Sequence, residues 1–224
     1  MQPESPLVSV VVPTFNEEER LPETLSRIRK AFEAFPDLAY ELIVCDNNST
    51  DSTAAVAESA DCKVVFEPIN QISRARNRGA SVASGRWLLF IDADSWPSAE
   101  LIGDMIPLLT GSNYIGCGST VRVVDGPRWF KVVLESKNWS MRTFKWCLGA
   151  FILCRRDAFS EIGGFSGEHY LFEELDFVKR LKALGAKRRQ KFVILHKHPF
   201  STSGRKGKAY GLSLIHISEP TRPY

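Results

Sequence analysis

The segment from Trp87 to Pro97, WLLFIDADSWP, constrains the fold of this chain more than any other stretch. A continuous apolar run, WLLFI, leads straight into two carboxylates, Asp92 and Asp94, and stops at a Trp-Pro break. An apolar run without polar alternation, bounded by turn residues, is the pattern of a strand buried on both faces. Asp92 and Asp94 then sit where that strand leaves the core. Ligands of open α/β sheets bind outside the carboxyl ends of the strands, so the pair is placed for chemistry. Mg²⁺ or Mn²⁺ carrying a diphosphate is the natural partner, because such hard cations take carboxylate, phosphate and water oxygens. A solvated Asp-x-Asp turn is the competing reading, since Asp is common in turns.

Upstream, Leu7 to Val12 is a β-branched run closed by Pro13 and followed by Thr14-Phe15-Asn16-Glu17-Glu18. Leu21, Leu25, Ile28, Phe32 and Phe35 then form one stripe at helical spacing. The connection PTFNEEE contains no glycine, which excludes both the G-x-G-x-x-G dinucleotide turn and a P-loop. A second strand, Tyr40 to Cys45, ends in DNNSTD, whose Ser49, Thr50 and Asp51 read as turn and cap, and an Ala-rich helix follows from Thr53 to Ala60. Lys63 to Glu67 is a third strand, and SRARNRG opens a helix that closes by Gly85. Its three alternating arginines spread around the helix, so they cannot all face one ligand. The order β-α-β-α-β-α-β predicts a parallel sheet with right-handed crossovers. Asn16-Glu17, Asp46 and Asp92-Asp94 would then converge on one rim.

A chain of 224 residues with 44% hydrophobic and 25% charged residues fits one soluble globular domain. A net charge of +3 argues against a dedicated nucleic-acid binder. There is no run of about 18 uncharged apolar residues, and Met1 opens onto QPESP, so a cytoplasmic or membrane-peripheral protein is expected. Cys45, Cys62, Cys117, Cys147 and Cys154 are odd in number and lack CxxC spacing, as expected of reduced thiols. Cys45 and Cys154 lie in apolar runs and read as small core residues.

VVPTFNEEE, LIVCDNNSTD and ARNRGASVASGRWLLFIDADS, in that order, resemble the nucleotide-sugar half of the family 2 glycosyltransferases. The resemblance implies a GT-A fold, a Rossmann-like α/β domain whose mostly parallel sheet is flanked by helices on both faces. It also implies a nucleotide-diphosphate sugar donor of UDP or GDP type. By motif position, Pro13, Asn16 and Glu17 would line the nucleoside pocket and Asp46 would meet the base. Arg76 would approach the donor, while Asp92 and Asp94 would hold ribose and metal. Asn47 stands where many relatives carry a second acidic residue, which leaves the identity of the base open.

Beyond the carboxylate pair, Ser98 begins a helix with Leu101, Met105, Leu108 and Leu109 on one face, and Tyr114 to Val124 is a long strand. The stretch from Pro127 to Trp146 mixes Trp129, Phe130, Trp139, Phe144 and Trp146 with Arg and Lys. It suits an amphipathic helix packed on the sheet, the favoured reading, or a cover for an acceptor or a membrane surface. Gly149 to Cys154 is a further strand and Arg155 to Ile162 a short helix ending at Gly163-Gly164. Phe172-Glu173-Glu174-Leu175-Asp176 then opens a helix with Leu175, Val178, Leu181 and Leu184 inward. Acidic residues suit a first helical turn through the helix dipole alone. GGF followed by an acidic pair is also similar to the family's general-base region, with Glu-Glu replacing the common Glu-Asp. Glu174 is the expected base and Asp176 the second choice, with Glu173 beside them. A carboxylate would take the proton of an acceptor hydroxyl, saccharide or lipid-linked, as it attacks the anomeric carbon. The metal would stabilise the leaving diphosphate. Inversion at the anomeric carbon is implied by the resemblance.

Lys191 to Leu195 is a last strand, before His196-Lys197-His198 and Thr202-Ser203-Gly204-Arg205-Lys206. His198 is a weak candidate for a further metal ligand and Arg205 for a donor contact. The final LSLIHISEPTRPY resembles adapter or vector read-through, so residues 1–211 are expected to form the catalytic domain, truncated at its C-terminus, and 212–224 a non-native tail. Two rivals stand beside the transferase. One is a sugar-nucleotide-binding module without turnover. The other is a haloacid-dehalogenase-like phosphatase, whose Asp-x-Asp lies on its first strand and is followed two residues later by Thr or Val; here Trp96 follows, on the fourth strand.

Overall fold

The computed structural model describes residues 6–125, 128–147, 151–167 and 173–203. Eight strands form one sheet in the order β3-β2-β1-β4-β7-β6-β8-β5. The N-terminal part follows the predicted alternation: β1 (Val8–Thr14), α1 (Leu21–Glu33), β2 (Tyr40–Asp46), α2 (Thr53–Ser59), β3 (Lys63–Phe66), α3 (Ile72–Ser81) and β4 (Trp87–Ile91). β1 pairs in parallel with both β2 and β4, and β2 with β3. Their carboxyl ends therefore share one edge, which brings the loops after β1, β2 and β4 together.

All seven residues of β1 and all five of β4 are buried. Val8, Val10, Val12 and Leu89 face a core with α1 and with α4 (Ala99–Thr110). Val11, Leu88 and Phe90 face a second core with α6 (Arg156–Glu161) and α7 (Glu173–Arg188). Alternation along each strand thus feeds two apolar layers, and helices cover both faces. The stripe on α1 packs as predicted, with Leu21, Leu25, Ile28 and Phe32 buried, while Phe35 lies past the helix end and only edges the core. Ser98 caps α4 by accepting from the Leu101 amide.

The second half departs from the parallel pattern. β7 (Phe151–Arg155) runs antiparallel between β4 and β6 (Tyr114–Val123). Its expected start at Gly149 lies outside the described residues. β8 (Lys191–Thr202) runs parallel to β6 and, instead of stopping at Leu195, continues through irregular register to Thr202. There it pairs with β5 (Ser95–Trp96), a two-residue strand where the sequence suggests only a break. α5 (Arg128–Phe144) packs Leu134 against Val121 and Val123. Asn138 of α5 bridges the Val121 backbone, donating to its carbonyl and accepting from its amide, each at 2.8 Å. The aromatic-basic stretch is therefore a sheet-packed helix that leaves Trp139 and Phe144 exposed.

Candidate active site

The loops after β1 and β2 are laced together. Asn16 adopts a left-handed φ of 51°, and its Oδ1 accepts from the Thr50 amide at 2.8 Å. The Glu17 amide donates to Thr53 Oγ1 at 2.9 Å, and Asp46 Oδ1 accepts from the Ser49 amide at 3.2 Å. Ser49 Oγ accepts from the Asn16 amide, and Asp51 accepts from the amides of Glu18 and of Thr53, the first residue of α2. Glu17, Asp46 and Asp94 are each almost fully buried on the shared sheet edge. Buried carboxylates are costly unless partnered, and Asp46 is met here by the Ser49 amide. Pro13 lies within β1 one residue before its end. Asn47 is committed internally: its Nδ2 donates to the Ile69 carbonyl at 2.6 Å and its Oδ1 accepts from the Gln71 amide at 2.9 Å.

Asp94 is held by the end of β8. Ser95 Oγ donates to its Oδ1 at 2.9 Å, Ser203 Oγ to its Oδ2 at 3.3 Å, and the Ser203 amide to its carbonyl at 3.1 Å. The sequence pattern does not pair Ser203 with Asp94, because only the return of β8 brings the two together. His198 does not join this group. Its Nδ1 lies 3.0 Å from Asp104 on α4, five positions before β8 reaches Asp94. Among the described residues no set of three His, Cys, Asp or Glu side chains gathers to hold a metal. His198 is thus engaged with Asp104 rather than with Asp92 or Asp94. A Mg²⁺-like site of one or two carboxylates, completed by phosphate and water, still fits Asp92 and Asp94.

Arg76 is the hub of the site. It is 1% exposed, and α3 turns it inward with Ser73, Ala75, Gly79 and Ala80, whereas Arg74 bonds Glu67 and Arg78 bonds the Phe66 carbonyl. The run of small residues marks this packed face in the sequence. Arg76 Nη2 donates to Asp92 Oδ1 at 3.1 Å and to Glu174 Oε1 at 3.2 Å, while Nη1 donates to Glu173 Oε1 at 3.2 Å. Burial alone would lower the Arg76 pKa, but the charges of Glu174, Asp92 and Glu173 more than offset it, and the group stays cationic.

The acidic pair splits in two environments. Glu173 has a side chain 8% exposed, whereas that of Glu174 is 16% exposed, the more accessible of the two. Asp176 sits apart on α7, accepting from Arg180 Nε at 2.8 Å. The candidate base Glu174 thus shares Arg76 with Asp92, just past β4, whereas Asp176 pairs with Arg180. Arg205, Phe172 and residues 212–224 lie outside the described residues.

Comparison with known proteins agrees with this architecture. A model of "Glycosyl transferase family 2" matches residues 9–173. The chain is 36% identical over 124 residues to a dolichol-phosphate mannosyltransferase of Pyrococcus furiosus, covering 53% of this chain and 34% of that protein. Such curated relatives are longer proteins, of which the chain spans between 34% and 60%. Among solved structures, Staphylococcus aureus TarS 1-349 in complex with UDP-GlcNAc has a TM-score of 0.70 at 20% identity, covering 88% of this chain and 58% of that one. The mannosyltransferase PcManGT of Pyrobaculum calidifontis, in complex with GDP-Man and Mn²⁺, has a TM-score of 0.67 at 21% identity, covering 98% and 59%. These likenesses establish the GT-A fold, and the family model spans the rim, the inward arginine and the first residue of the acidic pair alike. An Asp-x-Asp on β4, reached through that same span, leaves no place for the phosphatase alternative: the chain belongs to glycosyl transferase family 2.

Proposed function

We propose that this domain transfers a sugar from a nucleotide-diphosphate donor to an acceptor hydroxyl, with Glu174 as general base. The observation that carries this reading is the single Arg76 nitrogen shared by Asp92, at the end of β4, and Glu174, at the start of α7. It sets the donor edge and the base side by side. The bound UDP-GlcNAc of TarS and the GDP-Man and Mn²⁺ of PcManGT support a UDP- or GDP-type donor and a divalent cation here.

Pro13, Asn16, Glu17 and Asp46 would face the nucleoside, and Asp92 and Asp94 the ribose and cation. A bound Mg²⁺ or Mn²⁺ supplies Lewis-acid stabilisation of the diphosphate. Glu174 accepts the proton of the acceptor hydroxyl as its oxygen attacks the anomeric carbon and the bond to the diphosphate oxygen breaks. One base and one in-line attack give inversion. Arg205, two positions after Ser203, is assigned to the diphosphate, and residues 1–211 to the catalytic domain. Asp176, salt-bridged to Arg180, is the second choice of base.

The decisive assay is Mn²⁺-dependent release of UDP or GDP from a panel of sugar nucleotides. Glu174→Gln is expected to slow release by about a hundredfold or more while calorimetry shows the nucleotide still binding. Unchanged turnover would remove Glu174 as base, and binding without turnover in the parent protein would favour a non-catalytic module.

The acceptor is assigned to the lipid-linked class, at a membrane surface. Val132, Val133, Trp139 and Phe144 are exposed on α5, and Trp139 borders a hollow of about 470 Å³ with Arg142, Lys145 and His196. Apolar residues flanked by cations are the composition of helices that lie on anionic bilayers. No helix among the described residues is long and apolar enough to cross one.

A further inference from the structure

Three motifs that the sequence presents separately meet around one guanidinium. Asn77, next to Arg76, clamps the backbone of Phe165: its Nδ2 donates to the Phe165 carbonyl at 2.8 Å and its Oδ1 accepts from the Phe165 amide at 2.9 Å. The clamp holds the Phe165 ring over the Arg76 guanidinium, 5.1 Å from its centre, and stacked on Phe177 of α7 at 4.2 Å. Phe177 lies one turn beyond Glu173 and Glu174, in the helix whose first turn supplies both carboxylates. Arg-Asn, Gly-Gly-Phe and Glu-Glu are therefore one packed unit.

Charge and access say what that unit does. A donor-binding arginine must present positive charge and free N–H groups to the diphosphate. Arg76 is 1% exposed, and its Nη atoms point at three protein carboxylates, Asp92, Glu173 and Glu174. One positive charge among three negative ones leaves no net cation to offer an anion. Its Nε is buried without a hydrogen-bond partner among the described residues, beneath the Phe165 ring rather than at the surface.

We infer that Arg76 is not a donor ligand but the positioning residue of the base: with the Asn77–Phe165 clamp it fixes Glu174 at a set distance from the donor edge at Asp92. This rests on Glu174 being the base. Glu173 is then the buried anchor that fixes the second guanidinium nitrogen, leaving Glu174 the partner with access to an acceptor.

The test is a double-mutant cycle on nucleotide release from the UDP- or GDP-sugar that the protein turns over, with Mn²⁺ present. Nucleotide dissociation constants come from calorimetry with UDP or GDP and Mn²⁺. Arg76→Lys keeps the charge but cannot span both carboxylates. It is expected to lower kcat about ten- to a hundredfold, the worth of a charged hydrogen bond, with the nucleotide dissociation constant within about twofold of the parent. Arg76→Lys with Glu174→Gln should then be no slower than Glu174→Gln alone, because groups acting through one another are not additive. Phe165→Leu, which leaves every charge in place, should reproduce the kcat loss in milder form and serves if Arg76→Lys fails to fold. Weakened nucleotide binding in Arg76→Lys, or multiplicative losses in the double variant, would overturn the inference while leaving Glu174 as base. An active Glu174→Gln would instead overturn the base assignment, and the inference with it.

Discussion

Asp92 and Glu174 accept hydrogen bonds from the same nitrogen, Nη2 of Arg76, at 3.1 and 3.2 Å. One residue closes a strand of the parallel half and the other opens a helix of the mixed half, so this shared donor is where the two halves of the domain meet chemically. The acidic neighbours Glu173 and Glu174 divide the labour through burial, and their substitutions should differ accordingly. Glu174→Gln is expected to cut turnover by about 10²-fold or more, the usual worth of a positioned general base. Glu173→Gln should change turnover by less than about tenfold while lowering the melting temperature, since it removes a charge partner from a buried guanidinium. Steady-state kinetics beside thermal melts separates the two.

Asp94 is gripped by Ser95 and Ser203, which hold both carboxylate oxygens. Asp94→Asn should remove the extra thermal stabilisation that Mn²⁺ gives in the presence of UDP or GDP. Ser203→Ala, which leaves the carboxylate but loosens it, should weaken Mn²⁺ by about tenfold, in line with the loss of an outer hydrogen bond to a metal ligand. Titration of Mn²⁺ at saturating nucleotide measures both.

Gly85 lies where α3 hands the chain to β4. A Cβ there would stand 2.6 Å from the Ser9 amide nitrogen and 2.9 Å from the Val8 carbonyl carbon, and backbone cannot step aside. Gly85→Ala should destabilise the fold by about 1–3 kcal/mol, as overpacking does, with the denaturation midpoint moving and the slope unchanged.

The five thiols should separate by burial. Cys45, Cys117, Cys147 and Cys154 are buried, and Cys62 is half-buried. Burial pushes Cys45 and Cys147 up to about 12, with nearby carboxylates adding to it, and raises Cys117 and Cys154 well above the ordinary thiol value; Cys62 is raised chiefly by burial too. Below pH 8 the native protein should react with a thiol reagent slowly and at Cys62 alone, all five reacting once denatured. An unfolded thiol ionises near pH ~8.5, below its folded value, so the folded state binds the extra protons and stability falls as pH rises from there. Cys154→Ala should flatten that alkaline loss.

If α5 meets a membrane, Trp139→Ala with Phe144→Ala should abolish sedimentation with anionic phospholipid vesicles and leave Mn²⁺-dependent release of nucleotide in solution unchanged. Both side chains are exposed on α5, away from the Arg76 carboxylate cluster that carries the proposed base, and release of nucleotide in solution uses no lipid-linked acceptor.

The first half of the fold was open to reading because its two central strands, β1 and β4, are buried along their whole length and lead into polar clusters. Val8 to Val12 and Trp87 to Ile91 fill both cores, and the predicted convergence of Glu17, Asp46 and Asp94 follows from parallel pairing alone. The second half was harder for physical reasons. β8 carries Lys197, His198 and Pro199 in its middle and so looks like a loop, and nothing local reveals that Ser203, the residue after it, seats Asp94. Nor does spacing say which of three arginines turns inward; the small residues Ala75, Gly79 and Ala80 do, once the helix is known to pack there. The clamp between Asn77 and Phe165 joins residues that no periodicity links.

The margins of the sheet bear on how the molecule behaves in company. One border is the four-residue β3, with Lys63 exposed, and the other is finished by the two-residue β5 over only the last turnings of β8. The rest of that flank of β8 is interrupted by Pro199, which has no N–H to donate, and by Lys191 and Lys197. Short, charged and proline-broken borders deny a neighbouring molecule a template for strand addition. Concentrated solutions should therefore resist fibril formation by strand addition at these borders.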